Sequence, residues 1–449
     1  MTDFNVTLIV LGLLVSMVLG GMHIAVALGL TSLVGIYLVT ESVDIVINAL
    51  GSVAFEGLRG YIFIALPLFM LMGEFISRSG AAQDLYAGIN QLLRRIPARL
   101  ALATILGNAV FAFMTGVSLA AAAAFTRVAY PQMVHYGYRR DLACAVIAGS
   151  ACLGMLIPPS NLMILWAILT EGSIGAIFLA GIVPGLLLVT FFIGYVVVRA
   201  KLDPKGFGQI SFDPNLNPLA QSHRLESKVP TADILKSAFS IFGMIFCVLG
   251  GIWFGFFTPT EAAGVGVVLA VVFGHLVKGM KWIDFQEGIL QVGRTAAPLM
   301  IMILMALFYS RALALTGIGS EIEAFFLGNG FSKWSVLAFM VFVWFLLGMI
   351  IDSKSIMLLT VPIFAPLADA MGFDPVAFAI IGILAIETGL LTPPFGLIIY
   401  TVRASANDDQ VTVWSIFKAS TPYWIGLLLV LVTVAIWPIV ATGLARLIL

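Results

Sequence analysis

The sequence has 449 residues, of which 61% are hydrophobic and 10% charged, and its mean hydropathy is +1.09. Its 23 basic and 23 acidic residues balance, so no net charge favours a nucleic-acid partner. Uncharged runs long enough to cross a bilayer recur, which is not expected of a soluble protein of this length. Because these runs replace the alternating pattern of a β-barrel, the sequence predicts an all-α polytopic protein in a lipid bilayer.

The chain begins with an apolar run at residues 4–40, which is too long for one ordinary span. Gly20-Gly21 is expected to divide it into two short helices. Residues 41–59 are amphipathic and predict a helix along the membrane interface. A further span is expected at residues 60–76.

Two interruptions follow in the first half. Thr115-Gly116-Val117-Ser118 lies inside an apolar stretch at 100–129 and predicts the tip of a re-entrant hairpin. The alternative is a continuous span whose small residues pack against a neighbour. Pro158-Pro159 then interrupts the next apolar segment, where the missing N–H group and the clash with the preceding turn break a helix. A span is predicted at 172–198.

Residues 200–230 form the longest hydrophilic stretch, and their basic residues favour a cytoplasmic location. We interpret them as a linker between a first repeat at 1–199 and a second repeat at 231–449. The second repeat is expected to contain spans, an amphipathic patch, a hairpin, a broken helix and a last span. Spans are predicted at 237–257, 261–277 and 294–315, and a further uncharged run lies at 334–351. The amphipathic patch is predicted at 278–287, the hairpin at 351–370, the broken helix at 375–403 and the last span at 423–445.

A shift of 235 residues supports the duplication, because it places Pro158-Pro159 on Pro393-Pro394 without a gap. The same shift places Gly154 on Gly389 and Ser118 on Ser353. Self-similarity at a fixed offset indicates an internal repeat. Paired helix interruptions in the two halves of a membrane protein point to the binding site of a transporter.

Several motifs, in order along nearly the whole chain, resemble the large membrane subunit of tripartite ATP-independent periplasmic (TRAP) transporters. They are Gly137-Tyr138, GMLIPPS at 154–160, SIG at 173–175, GIVPG at 181–185, GFFTPTEA at 255–262, Asp352 with Pro362 and Pro366, and GLLTPPFG at 389–396.

The resemblance implies an elevator-type secondary transporter built from two inverted repeats, which imports an organic acid anion across the bacterial inner membrane with a sodium gradient. It also implies a small four-helix membrane subunit and a periplasmic substrate-binding protein as partners. The small subunit is expected to be a separate polypeptide. No cofactor is implied apart from Na⁺ as the coupling ion.

The interruptions supply the candidate site residues, because a broken helix exposes carbonyls with partial negative charge and N–H groups with partial positive charge. The residues expected to bind Na⁺ are Thr115, Gly116, Gly154, Pro158 and Ser160 in the first repeat, and Asp352, Gly389 and Thr392 in the second. The residues expected to bind the substrate are Ser118, Asn161, Ser353 and Gly396. The alternative for each hydroxyl is a hydrogen bond to its own helix.

Four charged residues near apolar runs have open roles. Glu261 follows Thr258-Pro259-Thr260 and is interpreted as the N-terminal carboxylate of a helix. Glu387 is a candidate for pairing with a base, tuning the second ion site or carrying a proton. Arg403 is interpreted as an interface residue, and Lys354 as a salt-bridge partner of Asp352.

No motif predicts an enzyme: the sequence has no Walker lysine motif and no nucleophile elbow. Three cysteines show no metal-like spacing and are interpreted as small apolar residues. Besides a TRAP permease, two alternatives stay open: a stand-alone proton- or sodium-coupled organic anion carrier of related fold, and a membrane subunit of an energy-converting complex. The second alternative predicts several lysines and glutamates in mid-membrane positions, which are sparse here.

Overall fold

A computed structural model describes residues 3–93, 95–208 and 231–449, and the regular elements of that part of the chain are helices. The helices of the first half are α1 (Asp3–Leu19), α2 (Ile24–Thr40), α3 (Val43–Arg59), α4 (Ala65–Arg78, preceded by a 3-10 turn at Tyr61–Ile64), α5 (Ala81–Leu92), α6 (Arg99–Thr115), α7 (Ser118–His135), α8 (Arg140–Ala151), α9 (Leu153–Leu156), α10 (Asn161–Leu169) and α11 (Ile174–Leu202).

The second half repeats this plan with fewer breaks near its start. Its helices are α12 (Thr231–Ile245, extended by π-helical residues Phe246–Gly250 and by Gly251–Trp253), α13 (Pro259–Val272, extended by Phe273–Val277), α14 (Trp282–Thr316), α15 (Ile318–Gly328), α16 (Lys333–Gly348), α17 (Ser353–Ala370), α18 (Pro375–Gly389), α19 (Leu397–Ala406), α20 (Val413–Ile436) and α21 (Ile439–Ile448).

Among the described residues, seven helices are long and apolar enough to cross a membrane, or up to eight if the bent segment around residues 157–160 counts as one span. The predicted division of the first apolar run at Gly20-Gly21 is confirmed, because α1 ends at Leu19 and Gly21 has a φ of +78°. The predicted linker lies mostly outside the described residues, and α11 extends to Leu202 rather than ending at residue 199.

Three element predictions in the second half are wrong. Most of the amphipathic patch and the span at 294–315 form one 35-residue helix, α14, which runs through Gly288 and Gly293 without a break. The uncharged run at 334–351 yields a helix of only 16 residues, α16, which packs against α17 and α18. The last span begins at Val413 and stops at Ile436, where Pro438 starts the separate helix α21.

Helix boundaries in the two halves follow the 235-residue shift. Helix α7 covers Ser118–His135 and α17 covers Ser353–Ala370, so both ends coincide after the shift. Helices α8 and α18 begin at Arg140 and Pro375, again one shift apart. The repeated sequence therefore corresponds to a repeated helix plan over the region that contains both interruptions.

The helices pack in two groups. In one, α2 packs along α14 and α4 along α13; in the other, α8 packs on α20, α16 on α18 and α11 on α21. The second group is centred on buried aromatic rings: Trp166 lies 6.0 Å from Trp344 and 5.8 Å from Phe378, measured between ring centroids. The groups meet where α4 contacts α6 and where α14 contacts α17. Both helix interruptions lie within the second group.

Gly149 sets the spacing between α8 and α20. A Cβ atom at this position would lie 2.2 Å from Cγ of Tyr423. The Tyr423 ring is buried and packs against Phe192 and Tyr195, so it has little room to move. We expect Gly149→Ala to lower the free energy of unfolding by about 1–3 kcal/mol through overpacking. Thermal unfolding of the purified protein in detergent measures this.

Gly194→Ala is the matched control, because Gly194 also lies in a helix but has no atom within 4 Å of its Cβ position. Removing a helical glycine there should leave stability unchanged or raise it by up to about 1 kcal/mol. Equal stability of the two variants would contradict the close packing of α8 on α20.

Asp408, in the loop before α20, joins this loop to the start of the first repeat's broken helix. Its Oδ2 accepts hydrogen bonds from the Tyr130 hydroxyl at 2.7 Å and from Arg140 Nε at 2.8 Å. The Tyr130 hydroxyl, the Gln410 amide and the Arg140 guanidinium lower the pKa of Asp408 from 3.8 to about 2. A carboxyl whose pKa is lower in the folded protein stabilises the fold above its unfolded pKa and loses that effect on acidification.

We therefore expect Asp408→Asn to change the acid dependence of stability. From pH 5 to 8 the wild-type and variant unfolding curves should run parallel, and between about pH 4 and 2 only the wild type should lose this contribution. The neighbouring Asp409, whose side chain is exposed and lies 3.3 Å from Arg403, supplies the control variant Asp409→Asn. If the free energy of unfolding fell equally steeply between pH 4 and pH 2 in wild type and in Asp408→Asn, the proposed stabilisation by the Asp408 carboxylate would be refuted.

Candidate ion and substrate site

The first tip, Gly116-Val117 between α6 and α7, lies against the first break, residues 157–160 between α9 and α10. The Gly116 carbonyl accepts a hydrogen bond from the Asn161 amide at 3.3 Å. A Cβ atom on Gly116, whose φ is +56°, would lie 3.0 Å from both Pro159 O and Asn161 N. The structure thus brings Gly116, Asn161 and the proline pair together, although they are distant in sequence.

Gly154 and Ser118 complete this cluster. A Cβ atom on Gly154 would lie 3.4 Å from the Ser118 amide nitrogen. Pro158, four residues after Gly154, has no N–H to donate to the Gly154 carbonyl, which therefore lacks its usual helical partner. Ser118 and Ser160 are fully buried, and neither hydroxyl has a hydrogen-bond partner among the described residues. Thr115 ends α6, but its side chain lies outside the described part of the structure.

The second tip, residues 349–352 between α16 and α17, is organised by Asp352. The Asp352 carboxylate caps α17 by accepting hydrogen bonds from the amides of Lys354, at 3.1 Å, and Ser355, at 3.2 Å. It also accepts one from the Ser355 hydroxyl. The carboxylate is therefore already oriented by three donors.

The second break, residues 390–396, is closed by its own hydrogen bonds. The Gly389 carbonyl accepts from the Thr392 amide at 3.1 Å and from the Thr392 hydroxyl at 2.9 Å. Gly396, with a φ of +37°, lies against the ring of Phe417, where a Cβ atom would be 2.5 Å away. The two breaks thus differ: Pro158 and Pro159 are buried, whereas Pro393 and Pro394 are exposed.

Glu387 lies between the two repeats. It is 1% exposed, and its Oε1 accepts a hydrogen bond from the Ser353 hydroxyl at 3.1 Å. The Ser118 hydroxyl and the Cys152 thiol face the same carboxylate. Ser118 and Ser353 correspond under the 235-residue shift, and so do Cys152 and Glu387. The sequence predicted a functional role for Glu387 because it is a charged residue in an apolar helix. It gave no such indication for Cys152, which only this contact identifies.

A cleft of about 310 Å³ lies beside the second tip, where the two groups of helices meet. Its polar lining is His23 from the start of α2, Thr295 from α14, and Asp352, Lys354 and Ser355 from α17. No ion pair within 4.0 Å joins Lys354 to Asp352 in the described part of the chain. The expected close salt bridge is therefore absent: Lys354 lines the cleft and interacts with the Asp352 carboxylate only at longer range.

Two other charged residues have local roles. Glu261 forms a capping box with Thr258, in which its carboxylate accepts the Thr258 amide at 2.8 Å, and the interpretation as a helix N-terminal carboxylate is confirmed. Arg403 lies 3.3 Å from Asp409 in the loop that follows α19. Neither residue belongs to the clusters at the tips and breaks.

A comparison with known protein families shows which family has these features. The family model described as "Tripartite ATP-independent periplasmic transporter, DctM component" matches residues 11–440. The chain belongs to this DctM family. It is thus a TRAP transporter large permease subunit, which is a multi-pass membrane protein and not an enzyme.

Curated relatives extend over most of this DctM-family chain. The C4-dicarboxylate TRAP transporter large permease protein DctM of Pseudomonas aeruginosa is 31% identical over 89% of this chain and 89% of its own length. The protein of the same name from Rhodobacter capsulatus is 30% identical over 98% of this chain and 99% of its length. The solved structure of the Alcanivorax borkumensis YdaH transporter shares the fold, with a TM-score of 0.60 at 13% identity, covering 89% of this chain and 88% of that one.

Proposed function

We propose that this TRAP permease subunit imports an organic acid anion across the bacterial inner membrane, driven by a sodium gradient. It receives the substrate from a periplasmic binding protein and works with a small four-helix membrane subunit. Relatives named for C4-dicarboxylate and sialic acid transport support an organic acid as cargo. The observation that carries the anion proposal is that Lys354 lines the cleft between the two helix groups and forms no ion pair within 4.0 Å among the described residues.

The first ion site is proposed at the first tip and break. The Gly154 carbonyl lacks its helical donor, and the Ser160 hydroxyl is buried without a partner. Such oxygen atoms suit a desolvated Na⁺, as in other transporters with interrupted helices. Pro158, Gly116 and Thr115 supply further backbone oxygens around this cluster. Asn161, at the N-terminus of α10, is proposed to bind the substrate or to close the first ion site.

The second ion site is proposed at Asp352, Gly389 and Thr392. In this conformation the Thr392 hydroxyl donates a hydrogen bond to the Gly389 carbonyl, and the hydroxyl oxygen keeps a lone pair with which to bind an ion. The substrate is proposed to lie next to this site, near Ser353, with its carboxylate on the Lys354 ammonium and at the positive N-terminus of α17. Gly396 stays a substrate-binding proposal, although Phe417 covers it here.

This arrangement offers a physical basis for coupling. The Asp352 carboxylate borders the cleft and repels an anionic substrate there. A sodium ion on Asp352 neutralises that charge and leaves Lys354 to attract the substrate. Sodium and substrate therefore raise each other's affinity, as linkage requires. We further propose that the helix group carrying both tips moves against the α2–α14 group as an elevator.

Uptake in proteoliposomes tests the function. Vesicles hold this chain with its small partner subunit, and the periplasmic protein is added outside with a radioactive C4-dicarboxylate or sialic acid. We expect uptake only with an inward sodium gradient and only with both partners present. Uptake that follows a pH gradient and ignores sodium would favour the proton-coupled alternative. Uptake by this chain without partners would favour the stand-alone carrier.

A further inference from the structure

A buried cluster between the repeats has a composition unlike that of either proposed ion site. It consists of the Glu387 carboxylate, the Ser118 and Ser353 hydroxyls and the Cys152 thiol. Glu387 is 1% exposed, Ser118 and Cys152 at most 1%, and Ser353 5%. No ion pair of the described residues includes Glu387, and no basic side chain faces it.

Two polar atoms in this cluster are unsatisfied. Glu387 Oε1 accepts the Ser353 hydroxyl, but Oε2 has no hydrogen-bond partner among the described residues. The Ser118 Oγ faces the same carboxylate but makes no hydrogen bond of regular geometry among the described residues. An ionised carboxylate inside a membrane protein is costly unless a positive charge compensates it. A buried carboxyl group with no basic neighbour, one oxygen atom without a hydrogen bond and a second hydroxyl oxygen facing it has the ligands that a cation needs.

We propose that Glu387, Ser118 and Ser353 form a third cation site, which binds one monovalent hard cation, Na⁺, between the two tips. Glu387 Oε2 and Ser118 Oγ supply the unpartnered ligands, and Ser353 holds the carboxylate in place through Oε1. A single carboxylate balances a single positive charge, which favours a monovalent over a divalent ion. This inference rests on the sodium coupling proposed above and adds a site to the two already assigned.

The symmetry of the cluster explains why this site occurs once. The shift of 235 residues exchanges Ser118 with Ser353 and Cys152 with Glu387. Each repeat therefore contributes one hydroxyl at equivalent positions. Of the other two equivalent positions, only the one in the second repeat, Glu387, has an ionisable carboxyl group, whereas the first repeat has Cys152. A cation here contacts both tips at once, because Ser118 begins α7 and Ser353 begins α17. Binding thus links the conformations of the two repeats, which neither of the other two sites does.

Equilibrium binding of radioactive Na⁺ to the purified complex tests the site without relying on uptake. We expect Glu387→Gln, which keeps the side-chain shape, to bind one ion fewer per chain than wild type, with the other ions unaffected. Ser118→Ala should weaken that ion at least tenfold, whereas Ser420→Ala, which removes another fully buried hydroxyl without a partner, should not.

Other results would overturn the proposal. If Glu387→Gln binds as many sodium ions as wild type with the same affinities, the carboxyl carries a proton and no third cation site exists. If Ser118→Ala and Ser420→Ala are equally affected, the effect is one of packing. Failure of the sodium coupling itself is distinguishable, because wild-type protein would then bind no sodium, or uptake would not respond to the sodium gradient.

Discussion

Replacing Lys354 with glutamine should reduce the apparent affinity for the transported anion by about 30- to 100-fold. Lys354 lines the cleft between the two helix groups and has no ion pair within 4.0 Å in the described part of the chain. Loss of one partner from a partly buried charge pair costs about 2–3 kcal/mol, and each 1.4 kcal/mol is a factor of ten. Initial rates of uptake at increasing substrate concentration measure the change.

The control is Lys201→Gln, which removes a positive charge from the exposed end of α11. This variant should transport as wild type does. Lys354→Arg keeps the charge but changes its shape, and we expect an intermediate affinity. If Lys354→Gln and Lys201→Gln bind the substrate equally well, the substrate carboxylate does not meet Lys354.

Gly116→Ala should lower the rate of sodium-driven uptake at least tenfold. The substituted residue would have to keep a φ of +56°, which costs an L-residue about 1–2 kcal/mol. Its Cβ atom would also lie 3.0 Å from Pro159 O and Asn161 N. Both are backbone atoms of the first break and its following helix, so relief of the contact displaces the tip from the break. The concentration of sodium that gives half-maximal uptake should rise in parallel.

A matched control separates backbone strain from this contact. Gly255 has a φ of +75° but no atom within 4 Å of its Cβ position. Gly255→Ala therefore carries similar backbone strain without pushing on a neighbour, and we expect lower stability with near-normal sodium dependence. Equal sodium dependence of the two variants would show that the first tip does not need to touch the first break.

Close backbone contacts also occur at the second tip. Gly348, which ends α16, lies so near α18 that a Cβ atom would be 2.8 Å from both Gly389 Cα and Ile386 O. This contact places the end of α16 beside the Gly389 carbonyl, one of the proposed sodium ligands. In both repeats, glycine thus allows a tip to approach an interrupted helix at backbone distance.

The sequence by itself determined the class of protein, several helix boundaries and the two interruptions. Apolar runs of spanning length specify membrane helices because no backbone polar group can stay unpaired in lipid. Proline pairs break helices wherever they stand, and Thr258 with Glu261 forms a helix cap through purely local hydrogen bonds. These features depend on neighbours within about four residues, which a single sequence displays directly.

Only the tertiary structure decided which interruptions meet and which charges are paired. The contact of Gly116 with Asn161, the approach of Ser118 and Ser353 to Glu387, and the absence of a Lys354–Asp352 ion pair all join or separate residues through the packing of distant helices. The 235-residue shift marks equivalent positions but not their distances. Proximity in the folded chain is set by how helix faces fit together, and that fit involves many side chains at once.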